Sequence, residues 1–223
     1  LVLQGGGPTA VINRTLAGLV HELTGDRRFG KVLGAVHGLD GLLSDRMIDL
    51  QKPGPSEWQR ISRTPGAALG SSRRRLKDNE VEVALDVLTD HGIRYLFAIG
   101  GNDTAQTPLT ITENSMRSNH ELNTVLVPKT IDNDLAQTDH TPGYGSAARF
   151  VALATMGASR DAASMGEAAP CTVIEVMGRD TGWIAAASAL GKRTESDGPH
   201  AVCVPEIAVD EDIFVDAMAC ARE

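Results

Sequence analysis

The chain has 223 residues and a formal net charge of −8, with 42% hydrophobic and 22% charged residues. Those fractions describe a globular protein with enough apolar surface for one large domain or two small ones. The acidic balance argues against nucleic acid or an anionic membrane as the main partner, and no apolar stretch approaches the ~18 residues of a membrane span. Aromatic residues make up only 4%, while 23 residues are Gly, which favours aliphatic strands joined by tight turns. Cys171, Cys203 and Cys220 lack metal-type spacing and read as reduced thiols of a cytosolic protein. No charged segment precedes an apolar one at the start, so no signal peptide is expected. The chain opens on an apolar run without Met and closes inside a helical pattern, so both ends read as cut.

Short aliphatic runs alternate with amphipathic stretches along the chain. The runs are 1–3, 32–36, 95–99, 124–127, 172–176 and 201–204, each bounded by Gly, Pro, Asn or Asp. Nearly continuous apolar runs suit strands covered on both faces, as in parallel sheets. Helices are expected at about 9–23, 79–91, 104–118, 144–164, 182–191 and 209–222. In the second of these, Val81, Ala84, Leu85 and Leu88 fall on one face, with Asp78 and Asn79 as N-cap and Gly92 as the stop. The alternation predicts a doubly wound α/β sheet. Two segments break it. Residues 51–78, rich in Pro and Gly, read as a long excursion over the strand ends, and 128–145 as a functional loop with a domain boundary near 134–145.

Ligands of open α/β sheets bind at the carboxyl ends of strands, so the loops after the strands carry the chemistry. Gly5-Gly6-Gly7-Pro8-Thr9 follows the first strand; its glycines let backbone N–H groups approach an anion, and Pro8 suits the first turn of a helix. A plain strand-to-helix turn has the same look. Gly100-Gly101-Asn102-Asp103-Thr104 adds a carboxylate, either an N-cap or a Mg²⁺ ligand beside a phosphate. Pro128-Lys129-Thr130-Ile131-Asp132-Asn133-Asp134 places two carboxylates at i, i+2 of an extended loop, for a proton acceptor and its support, beside a compact cation; a solvated polar turn is the plain alternative. Met177-Gly178-Arg179 sets a guanidinium at a strand end, for a phosphate or for Asp180. The run Arg73-Arg74-Arg75 reads as a solvated charge run from which Arg73 can reach a donor phosphate. The six histidines show no ligand spacing. Four such loops together supply the anion cradles, Mg²⁺ site, base and cationic clamps of phosphoryl transfer.

GGNDT at 100–104, PKTIDND at 128–134, TPGYGSAARF at 141–150 and EVMGRDTGW at 175–183 together resemble 6-phosphofructokinases. GGGPTAVIN at 5–13, GLDGL at 38–42 and LGSSR at 69–73 fit the same family, in order over essentially the whole chain. PKTIDND and the MGR segment are the specific motifs; the glycine-rich openings are not. The resemblance implies a phosphofructokinase-like α/β fold: Rossmann-like parallel-sheet layers in two similar domains, the second incomplete in this chain. Residues 1–140 would form the phosphate-donor domain and 141–223 part of the sugar-phosphate domain. It implies Gly6, Arg73, Asp103, Thr104 and Lys129 at the donor. Asp132 is the expected base toward the C1 hydroxyl of fructose 6-phosphate, supported by Asp134 and Lys129. Thr130, Ile131, Asp132, Met177, Gly178, Arg179 and Glu206 are expected at the sugar phosphate, and Asp103 and Asn102 at Mg²⁺.

ATP-using relatives have Gly at the positions of Asp103 and Lys129, whereas pyrophosphate-using relatives have Asp and Lys. A carboxylate at 103 would repel the α-phosphate of a nucleotide, and Lys129 would neutralise the terminal phosphate of pyrophosphate. The resemblance therefore implies the diphosphate-dependent branch: pyrophosphate and fructose 6-phosphate as substrates, Mg²⁺ as cofactor, a place in glycolysis or gluconeogenesis, a cytoplasmic location and a homo-oligomer, with neither nucleic acid nor membrane as partner. The alternatives are ATP as donor, a catalytically silent sugar-phosphate sensor of the same fold, and a Rossmann dehydrogenase, which the absent GxGxxG disfavours. The sequence departs from the family at Asn102, where Asp is usual, and at Pro170, where some bacterial relatives carry a phosphate-binding Arg.

Overall fold

A computed structural model of the chain describes residues 1–116, 120–168 and 170–220. The expected helix ends at 117–118 and 221–222 lie outside the described residues, as does the side chain of Cys220. The chain divides into two compact units, Leu1–Thr130 and Ile131–Glu223.

The first unit is built on a five-stranded sheet. Its strands are β1 (Val2–Gln4), β2 (Leu33–Ala35), β3 (Met47–Asp49), β4 (Tyr95–Gly100) and β5 (Asn123–Pro128), in the spatial order β3-β2-β1-β4-β5. All neighbours run parallel except β2 and β3. Among the described residues they are accompanied by α1 (Ile12–Gly25), α2 (Leu39–Leu43), α3 (Pro55–Ser62), α4 (Val81–Asp90) and α5 (Asn102–Ser115).

Alternate residues of each central strand enter opposite cores. Leu1 and Leu3 of the first run, with Leu96 and Ala98 of β4, join Val81, Ala84, Leu85 and Leu88 of α4. Val2 and Ile99 join Ile12, Leu16, Val20 and Leu23 of α1 on the other face. Burying each Leu, Ile or Val among them contributes roughly 1.5–3 kcal/mol, so both faces are held by apolar layers. The short aliphatic runs are therefore centre strands covered on both sides, as their composition requires.

Several local expectations are corrected. α1 begins at Ile12 rather than 9, leaving Pro8 outside its first turn, because residues 5 and 6 stay in register with Ile99 and Ser72 before the chain turns. Asp78 and Asn79 do not cap α4; with Glu80 they form a 3₁₀ turn, in which the Glu80 carboxylate accepts from the Lys77 N–H at 3.1 Å. The 51–78 excursion contains α3, which starts at Pro55 behind Gly54 and rests on α1. β3 is an antiparallel edge of three residues, too short for periodicity to show.

The second unit carries α6 (Tyr144–Met165), α7 (Trp183–Ala187) and α8 (Glu211–Cys220). Among its described residues the runs 172–176 and 201–204 form no ladder, and Val173 and Val202 are exposed. An apolar run becomes a strand only when its N–H and C=O groups meet a neighbour in register, and composition does not supply that neighbour. Cys171 and Cys203 are exposed thiols without a disulfide.

Gly38, at φ +59°, precedes α2 so closely under β1 that a Cβ there would fall 2.3 Å from the Gln4 carbonyl oxygen. We expect Gly38→Ala to destabilise the protein by ~2 kcal/mol or more in urea unfolding. Gly18→Ala, on the open face of α1 with nothing within 4 Å, should stabilise by ~0.5–1 kcal/mol. A Gly38→Ala variant that unfolds with the wild type would contradict this packing.

Candidate functional site

The ends of β1, β4 and β5 converge on one glycine turn. The Gly5 N–H donates to the Ile99 carbonyl and the Gly6 N–H to the Ser72 carbonyl, both at 2.9 Å. Thr104, buried in the first turn of α5, fills the space beside Gly5 and Gly100; a Cβ on either would lie 2.5 or 2.2 Å from its hydroxyl. Two of the glycines thus leave room for one threonine. Lys129, just past β5, is only 3% exposed, and its ammonium donates to the Gly7 carbonyl at 2.7 Å. The same nitrogen lies 3.1 Å from where a Gly6 Cβ would stand, at φ +76°, so the turn accepts only glycine there. The Arg73 guanidinium reaches the outer side of the turn, 3.4 Å from a Cβ built on Gly7. Of the expected donor residues, Gly6, Arg73, Thr104 and Lys129 are therefore assembled around one backbone turn.

The loop that delivers Arg73 is fastened by residues to which the motifs gave no role. Gln4, fully buried at the end of β1, accepts from the Leu69 N–H at 3.0 Å and donates to the Ile12 carbonyl at 3.3 Å. Asn13, buried in α1, accepts from Ala68 N–H at 2.6 Å and donates to the Thr64 carbonyl at 2.8 Å. Ser71 donates to the Gly6 carbonyl at 2.5 Å, and Ser72 to Asp40 at 2.7 Å. The available signal was a polar Gln ending an otherwise apolar strand run. The arginine run is exposed, as expected, but it is also ion-paired: Arg74 with Asp40 and Glu80, and Arg75 with Asp103. The Ser72 hydroxyl, ahead of the Arg74 guanidinium, holds the Asp40 carboxyl below the usual carboxylate range. For Glu80 the Lys77 backbone N–H leads and Arg74 follows, in the same direction.

Asp103 is exposed in the first turn of α5 but does not cap it; Gly101 occupies that position. Asn102 is exposed beside it. No group of three or more His, Cys, Asp or Glu able to hold a metal occurs among the described residues. Mg²⁺ does not need one, since it favours one or two carboxylates together with phosphate oxygens and water. The donor set of Asp103 and Asn102, one carboxylate and one amide oxygen, fits that preference, with the Arg75 guanidinium as a competitor for Asp103. Thr130, the last residue of the first unit, is half-buried near Gly101.

In the second unit the 131–134 segment is turned, not extended. Asn133 is buried at φ +56°, accepting from the Thr141 N–H at 2.8 Å and donating to the Asp139 carbonyl at 3.2 Å. Asp132 and Ile131 are half-buried and Asp134 is exposed, so the two carboxylates lie in unlike surroundings. The Thr181 hydroxyl donates to the Asp132 carbonyl at 2.7 Å, tying the Met177-Gly178-Arg179 segment to the Asp132 loop. Gly178, at φ +127°, packs so that a Cβ would meet the Thr181 carbonyl oxygen at 2.4 Å. Met177 and Arg179 are exposed. Glu206 accepts from the Gly182 N–H at 2.8 Å, beside a cavity of about 210 Å³ lined by Gly182, Trp183, Ala186, Val204 and Glu206.

A parallel-dominated sheet wound on both faces, with a glycine turn and a buried lysine at its strand ends, defines a doubly wound α/β protein. The chain belongs to the phosphofructokinase family, whose model, Phosphofructokinase, matches residues 1–223. It is 43% identical over 216 residues to a pyrophosphate–fructose 6-phosphate 1-phosphotransferase of Rhodospirillum rubrum, covering 96% of this chain and 52% of that protein. A protein of the same name from Halomonas elongata is 42% identical over 214 residues, covering 93% and 51%. The crystal structure of a pyrophosphate-dependent phosphofructokinase from Nitrosospira multiformis superposes with a TM-score of 0.88 at 34% identity, covering 99% of this chain and 56% of that one. The chain spans about half the length of the curated relatives it matches.

Asn133 acts on the backbone of its own loop. Asn133→Ala should speed hydrogen exchange of the Thr141 amide by ~10-fold or more, because a buried N–H loses its acceptor. Unchanged protection at Thr141 would contradict that role.

Proposed function

We propose that the protein is a diphosphate-dependent fructose-6-phosphate 1-phosphotransferase, moving phosphate from pyrophosphate to the C1 hydroxyl and giving fructose 1,6-bisphosphate and phosphate. The observation that carries this reading is the buried Lys129 ammonium against the glycine turn of a unit whose next strand end presents Asp103. A compact, buried cation favours a small, densely charged anion. A carboxylate on the adjoining helix turn disfavours the additional phosphate and base of a nucleotide.

The chemistry is an in-line displacement. The C1 oxygen bonds to phosphorus as the bridging P–O bond of pyrophosphate breaks; the hydroxyl proton passes to Asp132, and phosphate leaves. Asp134 supports the base. Lys129, Gly6, Thr104 and Arg73 bind and orient the donor. Thr130, Ile131, Met177, Gly178, Arg179 and Glu206 bind the sugar phosphate. Asp103 and Asn102 would hold Mg²⁺, which when bound neutralises charge on the donor oxygens. Because pyrophosphate and the product ester have comparable transfer potential, the step runs in both directions. Residues 1–140 form the donor domain and 141–223 contribute to the sugar domain. Pyrophosphate and fructose 6-phosphate are the partners of a cytoplasmic homo-oligomer.

In the full-length protein, Asp132→Ser should lower kcat by ~10²–10⁴ while the KM for fructose 6-phosphate stays near the wild-type value. Wild-type turnover in that variant would remove Asp132 from the role of base. Asp103→Gly combined with Lys129→Gly should raise kcat/KM for ATP relative to pyrophosphate by ~10-fold or more, with thermal melting confirming that the variant is folded. A folded double variant whose donor preference is unchanged would contradict the assignment of those two side chains.

A further inference from the structure

Three consecutive arginines leave the 69–72 segment in an irregular stretch. Neighbouring side chains in an irregular, non-helical stretch tend to point to opposite sides, and that is how the contacts fall. Arg73 goes to the Gly7 turn and Arg75 to Asp103, with 2.5 Å between Arg75 Nη2 and Asp103 Oδ1. Arg74, between them, turns the other way. Its Nη1 donates to Asp40 Oδ1 of α2 at 3.1 Å, and its Nη2 to Glu80 in the 3₁₀ turn that leads into α4.

Both carboxylates are themselves fixed. Asp40 also accepts from the Ser72 hydroxyl, and Glu80 accepts from the Lys77 N–H, so the bracket closes on the backbone at both ends of the arginine run. The Arg74 N–H donates to that same Ser72 hydroxyl at 3.1 Å, and the Ser72 carbonyl takes the Gly6 N–H. A planar guanidinium spans two carboxylates as a fork, which an ammonium does not.

We infer that Arg74 is a positioning residue: by bridging Asp40 and Glu80 it fixes the 72–77 backbone so that Arg73 and Arg75 both face the glycine turn and α5. This rests on the proposed donor role of that face and adds to it. Arg74 does not touch the donor; it decides which way its two neighbours point. Left unbridged, residues 73–77 can rotate, and the two flanking guanidinium groups no longer arrive together. As a surface ion pair Arg74 would add little stability, so its effect belongs on donor binding rather than on the melting temperature.

The test uses full-length protein and the variants Arg74→Ala, Arg74→Lys and Asp40→Asn, with Arg60→Ala, on the exposed face of α3, as control. Titration with Mg²⁺-pyrophosphate by calorimetry and steady-state kinetics are read together with thermal melting. Arg74→Ala should weaken pyrophosphate binding and raise its KM by ~10-fold, with the KM for fructose 6-phosphate within about twofold of wild type. Arg74→Lys and Asp40→Asn should fall between, since each retains only part of the bracket. Donor KM and affinity within about twofold of wild type in Arg74→Ala would overturn the inference, as would equal rises in both KM values with a lowered melting temperature. Should the wild type use ATP and not pyrophosphate, the donor assignment fails separately, and the same split measured with ATP still decides the role of Arg74.

Discussion

Three consecutive glycines at the end of β1 set the geometry of everything around them. Their backbone is engaged from three directions: by β4 through Ile99, by the arginine loop through Ser72, and by the ammonium of Lys129 at the Gly7 carbonyl. A buried ammonium is costly unless hydrogen-bonded, and the Gly7 carbonyl offsets part of that cost. The turn and the lysine thus hold each other in place. The positive charge is thereby held at a fixed place in the turn.

The same logic extends outward. An excursion of more than twenty residues would ordinarily be mobile, yet this one is fastened by buried amides at Gln4 and Asn13, by two serine hydroxyls and by the Arg74 bracket. Each fastening joins the loop to an element whose position the two apolar cores already determine. The chain of cause runs from aliphatic packing, to strand ends in register, to a loop held at several points, to arginines presented at one face. In the second unit the Thr181 hydroxyl does comparable work, drawing the Met177-Gly178-Arg179 segment to the backbone of Asp132.

Much of the sheet was legible in the sequence because aliphatic runs bounded by Gly and Asn report burial on two faces, and all four parallel strands of the first unit were expected where they occur. Val81, Ala84, Leu85 and Leu88 of α4 are the buried face their spacing indicates. The strand β3 was not legible, since three residues with Ile48 half-exposed carry no pattern. The runs at 172–176 and 201–204 misled for the opposite reason: their composition suits a strand, but pairing depends on a partner that composition does not report. At the candidate site, the glycines, Lys129 and the carboxylates stood out because their residue types are chemically unusual at strand ends. Gln4, Asn13, Asp40 and Arg74 did not, because their value lies in long-range hydrogen bonds that only the folded chain brings together. Asn133, for which a solvated turn was the plain alternative, is the buried anchor of its loop.

In the proposed function, the charge arrangement of the first unit selects a bare diphosphate over a nucleotide. The most direct measurement is kcat/KM of the full-length protein for phosphorylation of fructose 6-phosphate with pyrophosphate and with ATP, side by side at saturating Mg²⁺. A preference for pyrophosphate of ~100-fold or more is expected, the scale on which a carboxylate opposing an extra phosphate discriminates between donors. Equal use of the two donors, or a preference for ATP, would contradict it.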